Sequence, residues 1–512
     1  MALKFRTVQE ILFLIEDVYR RLKKRRLCLL FLQNTVMRRL GCHWYSHGNP
    51  GNLMELKIDN LKRIALLSPV LCALVISNNA VAQNWYSNVP DIEVTLDTIT
   101  GFEPTPIAVE DPTSQTGATL FPSDQSDLLE MARVIRNDLD FSPFCELVLI
   151  DSAYVRHLQL KEMNSQTWRR LGADYFVRLE AKITKQEISI RYEVTFTPSD
   201  RVSAKGRFAS PRKYFRALAH TVSNDIMKKV FSENGIFRSQ VCYVVRKGDV
   251  KDLYVADYDG AEATRILSNG SINLSPVFTP DGNEVLFTSY LDGFPKIYSF
   301  DLKRGKTKLI AGYDGLNTAP AVSPDGDRIA CVLSKDGNAE IYLLDRRGRI
   351  IRRLTRTRAI ENSPTFSPDG REIVFSSDRS GSPQIYIMDI EGLNVRRITY
   401  QGRYNDSPIW SPRGDLILFV GRTKSGRFDI CTITPTGQDY TILTNNGANE
   451  NPHFSPDGNN IIFSSTRLGF KEIFTMDRFG RRQRRLTHTG RADGSRDASN
   501  PSWSPSFNWG DG

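Results

Sequence analysis

One short motif recurs through the second half of the chain: a proline, a variable residue, an apolar or aromatic residue, and then Ser-Pro-Asp-Gly or a close variant. Pro-Asp-Gly favours a tight turn, and the flanking segments, such as EIVFSS and QIYIMDI, are rich in strand-forming residues. The leading prolines recur at intervals of 44 residues, with a final interval of 49, and are Pro276, Pro320, Pro364, Pro408, Pro452 and Pro501. A period of about 40–45 residues is typical of four-stranded β-propeller blades, so the six copies predict a six-bladed propeller over residues 239–507.

The two ends of this repeat region complement each other. It begins with VCYVVRK and DLYVADY, which match the second and third strands of a blade, and it ends with PSWSPS, which matches a first strand. We therefore expect the last strand to complete the first blade and to close the ring. Closure removes the open sheet edges that would otherwise promote aggregation.

Residues 83–238 follow a different pattern. Two segments, 126–140 and 213–231, place apolar residues on one helical face, and the segments DYFVRLEAKI and ISIRYEVTF between them alternate as strands do. The pattern predicts a small α/β domain that abuts the propeller near Gly235 without a flexible linker. The expected fold class is therefore mainly β: a six-bladed β-propeller of about 44-residue blades, preceded by a small α/β domain.

The segment 54–82 has the layout of a cleaved secretory signal. Basic residues precede an apolar core from Ile64 to Ile76, and Ala-Val-Ala precedes the expected cleavage between Ala82 and Gln83. The apolar core is too short for a transmembrane helix, so we expect export without stable membrane insertion. We expect residues 1–53 to be an upstream extension that is either absent from the native product or unstructured.

The formal net charge of +10 belongs mostly to these leading residues. Residues 1–53 carry ten lysines and arginines against three acidic residues, and residues 54–82 add one positive charge, which leaves about +2 for the remainder. A balance so close to neutrality gives no support to nucleic-acid binding.

The sequence offers no recognisable catalytic or metal-binding motif, and it predicts no cofactor. It lacks G-x-S-x-G, H-E-x-x-H, C-x-x-C and a phosphate-binding glycine loop, and its histidines are dispersed. His220 lies beside an apolar helical face, where a structural role is expected. Cys331 and Cys431 lie in non-adjacent blades, where we expect buried free thiols.

The propeller predicts a ring of loops around its central axis, because the loops that lead into the innermost strands lie on one rim. Three residues before the leading prolines stand mostly polar side chains, and one place earlier stand mostly apolar ones. The rim is predicted to bind a partner protein through Asn273, Leu316, Asn317, Ile360, Glu361, Tyr404, Asn405 and Asn449. The alternative is that the asparagines hydrogen-bond only to the backbone of their own turns.

Three segments outside the repeated motif resemble a known family. They are PIAVEDP (106–112), LGADYFVRLEAKI (171–183) and ALAHTVSNDIMKKVFSENGIFRSQVCYV (217–244). Together with the domain order and the number of blades, they make residues 83–507 similar to the TolB family, the soluble periplasmic component of the Tol–Pal envelope system.

This resemblance implies a monomeric, non-enzymatic scaffold in the periplasm that supports outer-membrane integrity and cell division. Its propeller rim would bind a Pal-like peptidoglycan-associated lipoprotein. Its N-terminal segment, which begins here at Gln83, would bind a TolA-like inner-membrane protein. The residues expected to make this second contact are Asp91, Ile92, Glu93 and Val94.

Two other functions remain open from the residues alone. A secreted lyase or hydrolase would need converging ligands at the mouth of the channel, where the chain offers Glu361, Asp406 and Glu450 but no histidine cluster. Direct binding of peptidoglycan or another carbohydrate is the second alternative, and binding to purified sacculi would distinguish it from protein recognition.

Overall fold

A computed structural model of the chain describes residues 103–114, 121–149, 163–423, 426–489 and 496–506. All of them lie in one compact unit, residues 94–512. The predicted signal segment with its cleavage site at Ala82 and Gln83, and the predicted contacts Asp91 to Val94, lie outside the described residues. Within the described ranges, no helix has the length and apolar character needed to cross a membrane.

The first described domain is a mixed sheet with helices packed against it. Its strands run in the order β3-β1-β4-β5-β6, and β2 pairs with β4. The strands are β1 (Thr105–Val109), β2 (Thr113–Ser114), β3 (Cys145–Leu147), β4 (Tyr175–Ile183), β5 (Glu187–Phe196) and β6 (Arg201–Pro211). The helices are α1 (Pro122–Phe141), α2 (Ser165–Arg170) and α3 (Phe215–Phe231), the last preceded by a 3-10 turn (Arg212–Tyr214).

The two long helices form where the sequence predicts them. α1 begins at Pro122, whose fixed φ suits the first helical position, and it buries Leu128 and Ile135 against the sheet. α3 buries Val222 and Ile226 in the same core, and it ends at Ser232, which adopts a left-handed conformation. The helical faces expected from the apolar spacing are therefore confirmed.

The propeller follows as six four-stranded sheets, which we call blades I to VI. Blade I contains β7 (Gln240–Lys247), β8 (Val250–Asp257) and β9 (Thr264–Leu267); blade II, β10 (Asn273–Phe278), β11 (Glu284–Ser289), β12 (Lys296–Asp301) and β13 (Lys306–Ala311); blade III, β14 (Asn317–Val322), β15 (Arg328–Leu333), β16 (Glu340–Asp345) and β17 (Ile350–Arg353). Blade IV contains β18 (Glu361–Phe366), β19 (Glu372–Ser377), β20 (Gln384–Asp389) and β21 (Arg396–Arg397). Blade V contains β22 (Asn405–Trp410), β23 (Ile417–Arg422), β24 (Phe428–Ile433) and β25 (Thr441–Ile442). Blade VI contains β26 (Asn449–Phe454), β27 (Asn460–Ser465), β28 (Glu472–Asp477) and β29 (Arg484–Arg485).

The last strand closes the ring. β30 (Arg496–Trp503) pairs antiparallel with β7, so that Trp503 lies opposite Val241 and blade I receives its innermost strand from the end of the chain. The Trp503 indole N–H donates to Ser239 Oγ at 2.7 Å, which anchors this end. The predicted blade number and the predicted closure are both confirmed.

Two residues of the repeated motif have defined structural roles. Gly370 of Ser-Pro-Asp-Gly has φ +68°, as the turn between the first two strands of blade IV requires. The leading Pro364 lies in the middle of β18, where a bulge shifts the register between Asn362 and Thr365. Proline is tolerated there because the innermost strand is a sheet edge and needs no donor on its free side. The residue before each leading proline is left-handed, in Ser275, Ala319, Ser363, Ser407, Asn451 and Asn500.

The core of the propeller lies between neighbouring blades. Ile385 of blade IV, for example, packs in one cluster with Phe419 and Cys431 of blade V. All four described cysteines are free and buried, as expected, and burial raises the pKa of the Cys145 thiol to about 12. The thiols therefore act as packing groups.

Candidate functional site

One face of the propeller carries the loops that lead into the innermost strands, and we call it the upper rim. Asn273, the first residue of β10, lies opposite Ser289, the last residue of β11. The loop before each first strand and the loop between the second and third strands therefore meet at this face. In blade II these are residues 268–272 and 290–295.

The α/β domain packs against part of the opposite face. Arg413, in the turn between the first two strands of blade V, lies 3.4 Å from Glu233. Arg484, at the start of β29, donates to Asp140 at 2.8 Å. Both contacts lie where strands of the blades turn at the end away from the upper rim, so among the described residues the upper rim stays free of the α/β domain.

The five polar residues predicted for the rim are buried. Each has a relative exposure of zero, and they are Asn273, Asn317, Glu361, Asn405 and Asn449. Two of them hold their own loops through the side-chain amide: Asn317 Nδ2 donates to Tyr313 O at 2.7 Å and Asn405 Nδ2 to Gln401 O at 2.8 Å. These bonds match the alternative stated above, in which the asparagines serve their own turns.

The same side chains also join neighbouring blades. Asn273 Nδ2 donates to Lys251 O of blade I at 2.7 Å. Asn449 Nδ2 donates to the Asp429 carboxylate of blade V at 3.1 Å. Buried amides that are satisfied in this way fix the spacing of the blades at the rim. In this structure they are positioning groups, and a partner cannot reach them directly.

Glu361 departs from the asparagine pattern. Its Oε1 accepts hydrogen bonds from Thr357 Oγ1 at 2.7 Å, Ser377 Oγ at 3.1 Å and Arg379 Nη2 at 2.9 Å. A carboxylate cannot donate a hydrogen bond to a backbone carbonyl, as the asparagine amides do in other blades. The Glu361 carboxylate of blade IV instead accepts hydrogen bonds from hydroxyl groups and a guanidinium group. The Arg379 ion pair keeps the buried charge compensated.

The exposed part of the rim is apolar on one side. Of the predicted residues, Ile360 is 57% exposed and Leu316 is 43% exposed. Tyr404 is half-buried and its hydroxyl donates to Asp406 at 2.9 Å; burial and the Asp406 charge raise its pKa. Phe294, which the sequence reasoning missed, is 71% exposed.

The sequence alone distinguishes Phe294 from the equivalent residues of other blades. It stands in the hairpin loop 290–295, at a position where blades III and IV have the polar residues Asn338 and Ser382. Asn317 Nδ2 donates to Pro295 O at 3.3 Å, so the Phe294 loop lies against the loop that carries Leu316. The exposed apolar side chains of this part of the rim, which we call the apolar arc, are Ile272, Leu291, Phe294, Leu316 and Ile360.

A buried polar network joins the two domains. Asp138 of α1 accepts a hydrogen bond from His220 Nδ1 of α3 at 2.9 Å and another from the Tyr258 hydroxyl of blade I at 2.6 Å. All three residues are at most 2% exposed. The structural role expected for His220 is thus confirmed, and its Nε2 has no hydrogen-bond partner among the described residues.

Metal-ligating side chains do not converge in the part of the chain that the structure describes. No set of three or more His, Cys, Asp or Glu side chains is arranged there to hold a metal ion. The acidic side chains at the channel mouth are engaged by neighbours: Asp406 accepts from Tyr404, and Glu450 pairs with Lys471.

The fold defines a two-domain propeller protein, in which an α/β domain packs against one face of a six-bladed ring and the loops of the other face are exposed. Comparison with known proteins agrees. The family model described as the TolB beta propeller domain matches residues 227–507, and the model for the TolB amino-terminal domain matches residues 91–205. The chain belongs to the TolB family.

Individual relatives are similar over parts of their length. The Tol-Pal system protein TolB of Geobacter sulfurreducens is 35% identical over 229 residues, which cover 44% of this chain and 50% of the relative. That of Haemophilus ducreyi is 33% identical over 157 residues, covering 30% and 37%. The chain thus spans half or less of the length of these curated relatives. The crystal structure of TolB from Acinetobacter baumannii superposes with a TM-score of 0.69 at 26% identity, covering 79% of this chain and 97% of that one.

Proposed function

We propose that this chain is a non-enzymatic adaptor of a Tol–Pal system in the bacterial cell envelope. It acts in the periplasm after removal of the predicted signal, and it recognises a Pal-like peptidoglycan-associated lipoprotein through the upper rim. Its contribution to the cell is outer-membrane integrity and support of cell division. The proposal rests on family membership and on the exposed apolar arc.

The single observation that carries the rim assignment is the exposure of Phe294, Leu316 and Ile360 on neighbouring loops. Clustered apolar side chains in water favour a protein partner, and a few well-packed side chains at the centre of an interface commonly supply most of the binding free energy. The buried amides beneath them hold the loops in place before binding. A preorganised surface loses little conformational entropy when it binds.

The N-terminal segment carries the second part of the proposal. Asp91, Ile92, Glu93 and Val94 contact a TolA-like inner-membrane protein, as the family resemblance implies. A chain that lacks residues 83–94 should still bind the Pal-like lipoprotein and should lose capture of the TolA-like protein. Retained capture of the TolA-like protein would remove this assignment and leave the rim assignment intact.

The rim assignment is tested with Ile360→Asp and Phe294→Asp. Binding of the soluble domain of the Pal-like lipoprotein from the same organism is measured by titration calorimetry. Each change should weaken binding by tenfold or more, about the loss of one interface hot spot. Leu393→Asp is the matched control, because Leu393 is 63% exposed in a turn on the opposite face of the propeller.

Two results would contradict the proposal. Equal affinity of the rim variants and the wild type would remove the upper rim as the recognition surface. Binding of purified sacculi, with no binding of the lipoprotein domain, would favour the carbohydrate alternative instead. Circular dichroism of each variant checks that the fold is intact.

A further inference from the structure

Six positions, spaced by 44 residues, lie at the upper rim at or just before the start of the third strand of each blade. They are Lys251, Pro295, Ala339, Pro383, Arg427 and Lys471. At five of them the backbone carbonyl accepts a hydrogen bond from the next innermost strand: Lys251 O accepts from Asn273 Nδ2 at 2.7 Å, for example, and Lys471 O from the Ala498 N–H at 3.0 Å. At Arg427 the carbonyl accepts from the Thr423 N–H of its own hairpin instead. The backbone makes these bonds, so the side chain is free to vary.

The side chains divide the rim into two halves. Blades II, III and IV carry Pro295, Ala339 and Pro383, on the side of the apolar arc. Blades V, VI and I carry Arg427, Lys471 and Lys251 in that order. These three blades are neighbours because β30 closes the ring. We call these three residues the cationic arc.

Lys251 is the member of the cationic arc whose side chain makes neither a hydrogen bond nor an ion pair with the described residues. Lys471 Nζ pairs with Glu450, and Arg427 Nη2 donates to Asn445 O at 3.1 Å. The Lys251 ammonium is half-buried. Burial and the neighbouring charges of Lys471 and Arg246 lower its pKa, and the charge of Asp497 only partly offsets them.

Three acidic groups of this half are engaged by other residues, whereas Asp249 is exposed in the turn that precedes Lys251. Asp406 accepts from the Tyr404 hydroxyl at 2.9 Å, Glu450 pairs with Lys471, and Asp497 accepts from the Lys471 backbone N–H at 3.1 Å. A half-buried ammonium whose neighbours are mainly cations gains most from an incoming anion.

We propose that Lys251 receives a carboxylate of the protein that binds the upper rim, while the apolar arc receives an apolar side chain of the same protein. This inference rests on the proposed function and adds the chemistry and the orientation of the partner. A ring with six similar blades would otherwise permit six rotational orientations. Two unlike arcs restrict this choice, because a half-turn would bring the carboxylate onto the apolar arc and the apolar group onto the cationic arc.

The experiment compares Lys251→Met with Lys335→Met in the full chain. Lys335 also lies on the upper rim, but it belongs to blade III and is paired with Asp336 at 2.7 Å. The probe is the soluble domain of the Pal-like lipoprotein, titrated at low and at physiological salt. Lys251→Met should weaken binding about tenfold and reduce its salt dependence, and Lys335→Met should change neither. Thermal unfolding of both variants checks that the fold is intact.

The possible outcomes separate this inference from the proposed function. Wild-type affinity of Lys251→Met, together with lost binding of Ile360→Asp, would overturn the cationic arc and leave the adaptor function standing. Wild-type affinity of both variants would overturn both ideas. If Lys251→Met lost binding of soluble peptidoglycan fragments and kept binding of the lipoprotein domain, the lysine would serve the cell wall, and the protein carboxylate would be excluded.

Discussion

Replacing Tyr258 by phenylalanine removes one hydrogen bond between the two domains and little else. The Tyr258 hydroxyl donates to the Asp138 carboxylate at 2.6 Å, and both residues have zero exposure. A hydrogen bond to a charged group contributes about 1.5–3 kcal/mol to stability. Asp138 would keep its bond to His220, so its charge would remain compensated. We therefore expect Tyr258→Phe to lower the free energy of unfolding by about 2 kcal/mol.

The measurement is urea unfolding followed by tryptophan fluorescence and by far-ultraviolet circular dichroism. Trp503 lies beside Phe141 of α1, with ring centroids 6.4 Å apart, so its fluorescence reports on the boundary between the domains. Tyr254→Phe is the matched control, because Tyr254 lies in β8, the strand that immediately precedes Tyr258, and its hydroxyl has no hydrogen-bond partner among the described residues. Equal unfolding midpoints for the two variants would refute the reasoning.

The same network makes stability depend on pH in a definite direction. Burial alone would lower the pKa of His220, but the charge of Asp138 and the hydrogen bond between them outweigh it, and the pKa is raised above 6.5. The folded state therefore holds this proton more tightly than the unfolded chain. The stabilisation is complete below about pH 6.5 and is lost as the pH rises through the folded pKa. The difference in unfolding free energy between wild type and His220→Gln should shrink with rising pH, and a constant difference would contradict this assignment.

Three further changes test the propeller itself. Glu361→Gln should cost about 1–3 kcal/mol of stability in urea unfolding, because the half-buried Arg379 loses its counter-charge; an unchanged midpoint would mean that the pair contributes nothing. Gly348→Ala should lower the melting temperature more than Gly337→Ala: both positions are left-handed, but a Cβ at Gly348 would lie 1.8 Å from a backbone carbonyl, whereas open space surrounds Gly337. Deleting β30 should abolish cooperative thermal unfolding, since blade I loses its innermost strand, and a sharp transition in the truncated chain would argue against closure as a source of stability.

The architecture was predictable because the same local rules operate in every blade. Each unit repeats a proline, a turn that needs a positive φ at glycine, and apolar strands of similar length. Six copies of the repeat therefore predict the same four-stranded blade independently. The bulge in the innermost strand is harder to predict from the sequence than the blades. Ser363 adopts φ +50° before Pro364, and serine gives no local signal for that conformation. The geometry of the closed ring imposes it, and the sequence shows only the proline that follows.

The candidate site was only partly predictable, because asparagine serves two purposes that a sequence does not separate. Asn405 could equally have bound a partner or its own loop, and its burial decides the matter for this structure. Charge reversal at Glu361 would therefore destabilise the fold before it could test binding, since Arg379 lies 2.9 Å away. Leu316 and Ile360, which precede the polar positions by one residue, are exposed on the upper rim, and their contact with a partner stays a prediction.

The periodicity itself supplies a criterion for separating folding from function in this chain. A residue type that recurs at the same place in most blades meets a need that every blade shares, and the buried asparagines illustrate this. A partner that binds once, on an axis around which the blades are arranged, breaks their equivalence. Its contacts must then lie where equivalent positions differ, as they do between Phe294 and Ser382 or between Lys251 and Ala339. The departures from the repeat are therefore the more informative positions for recognition.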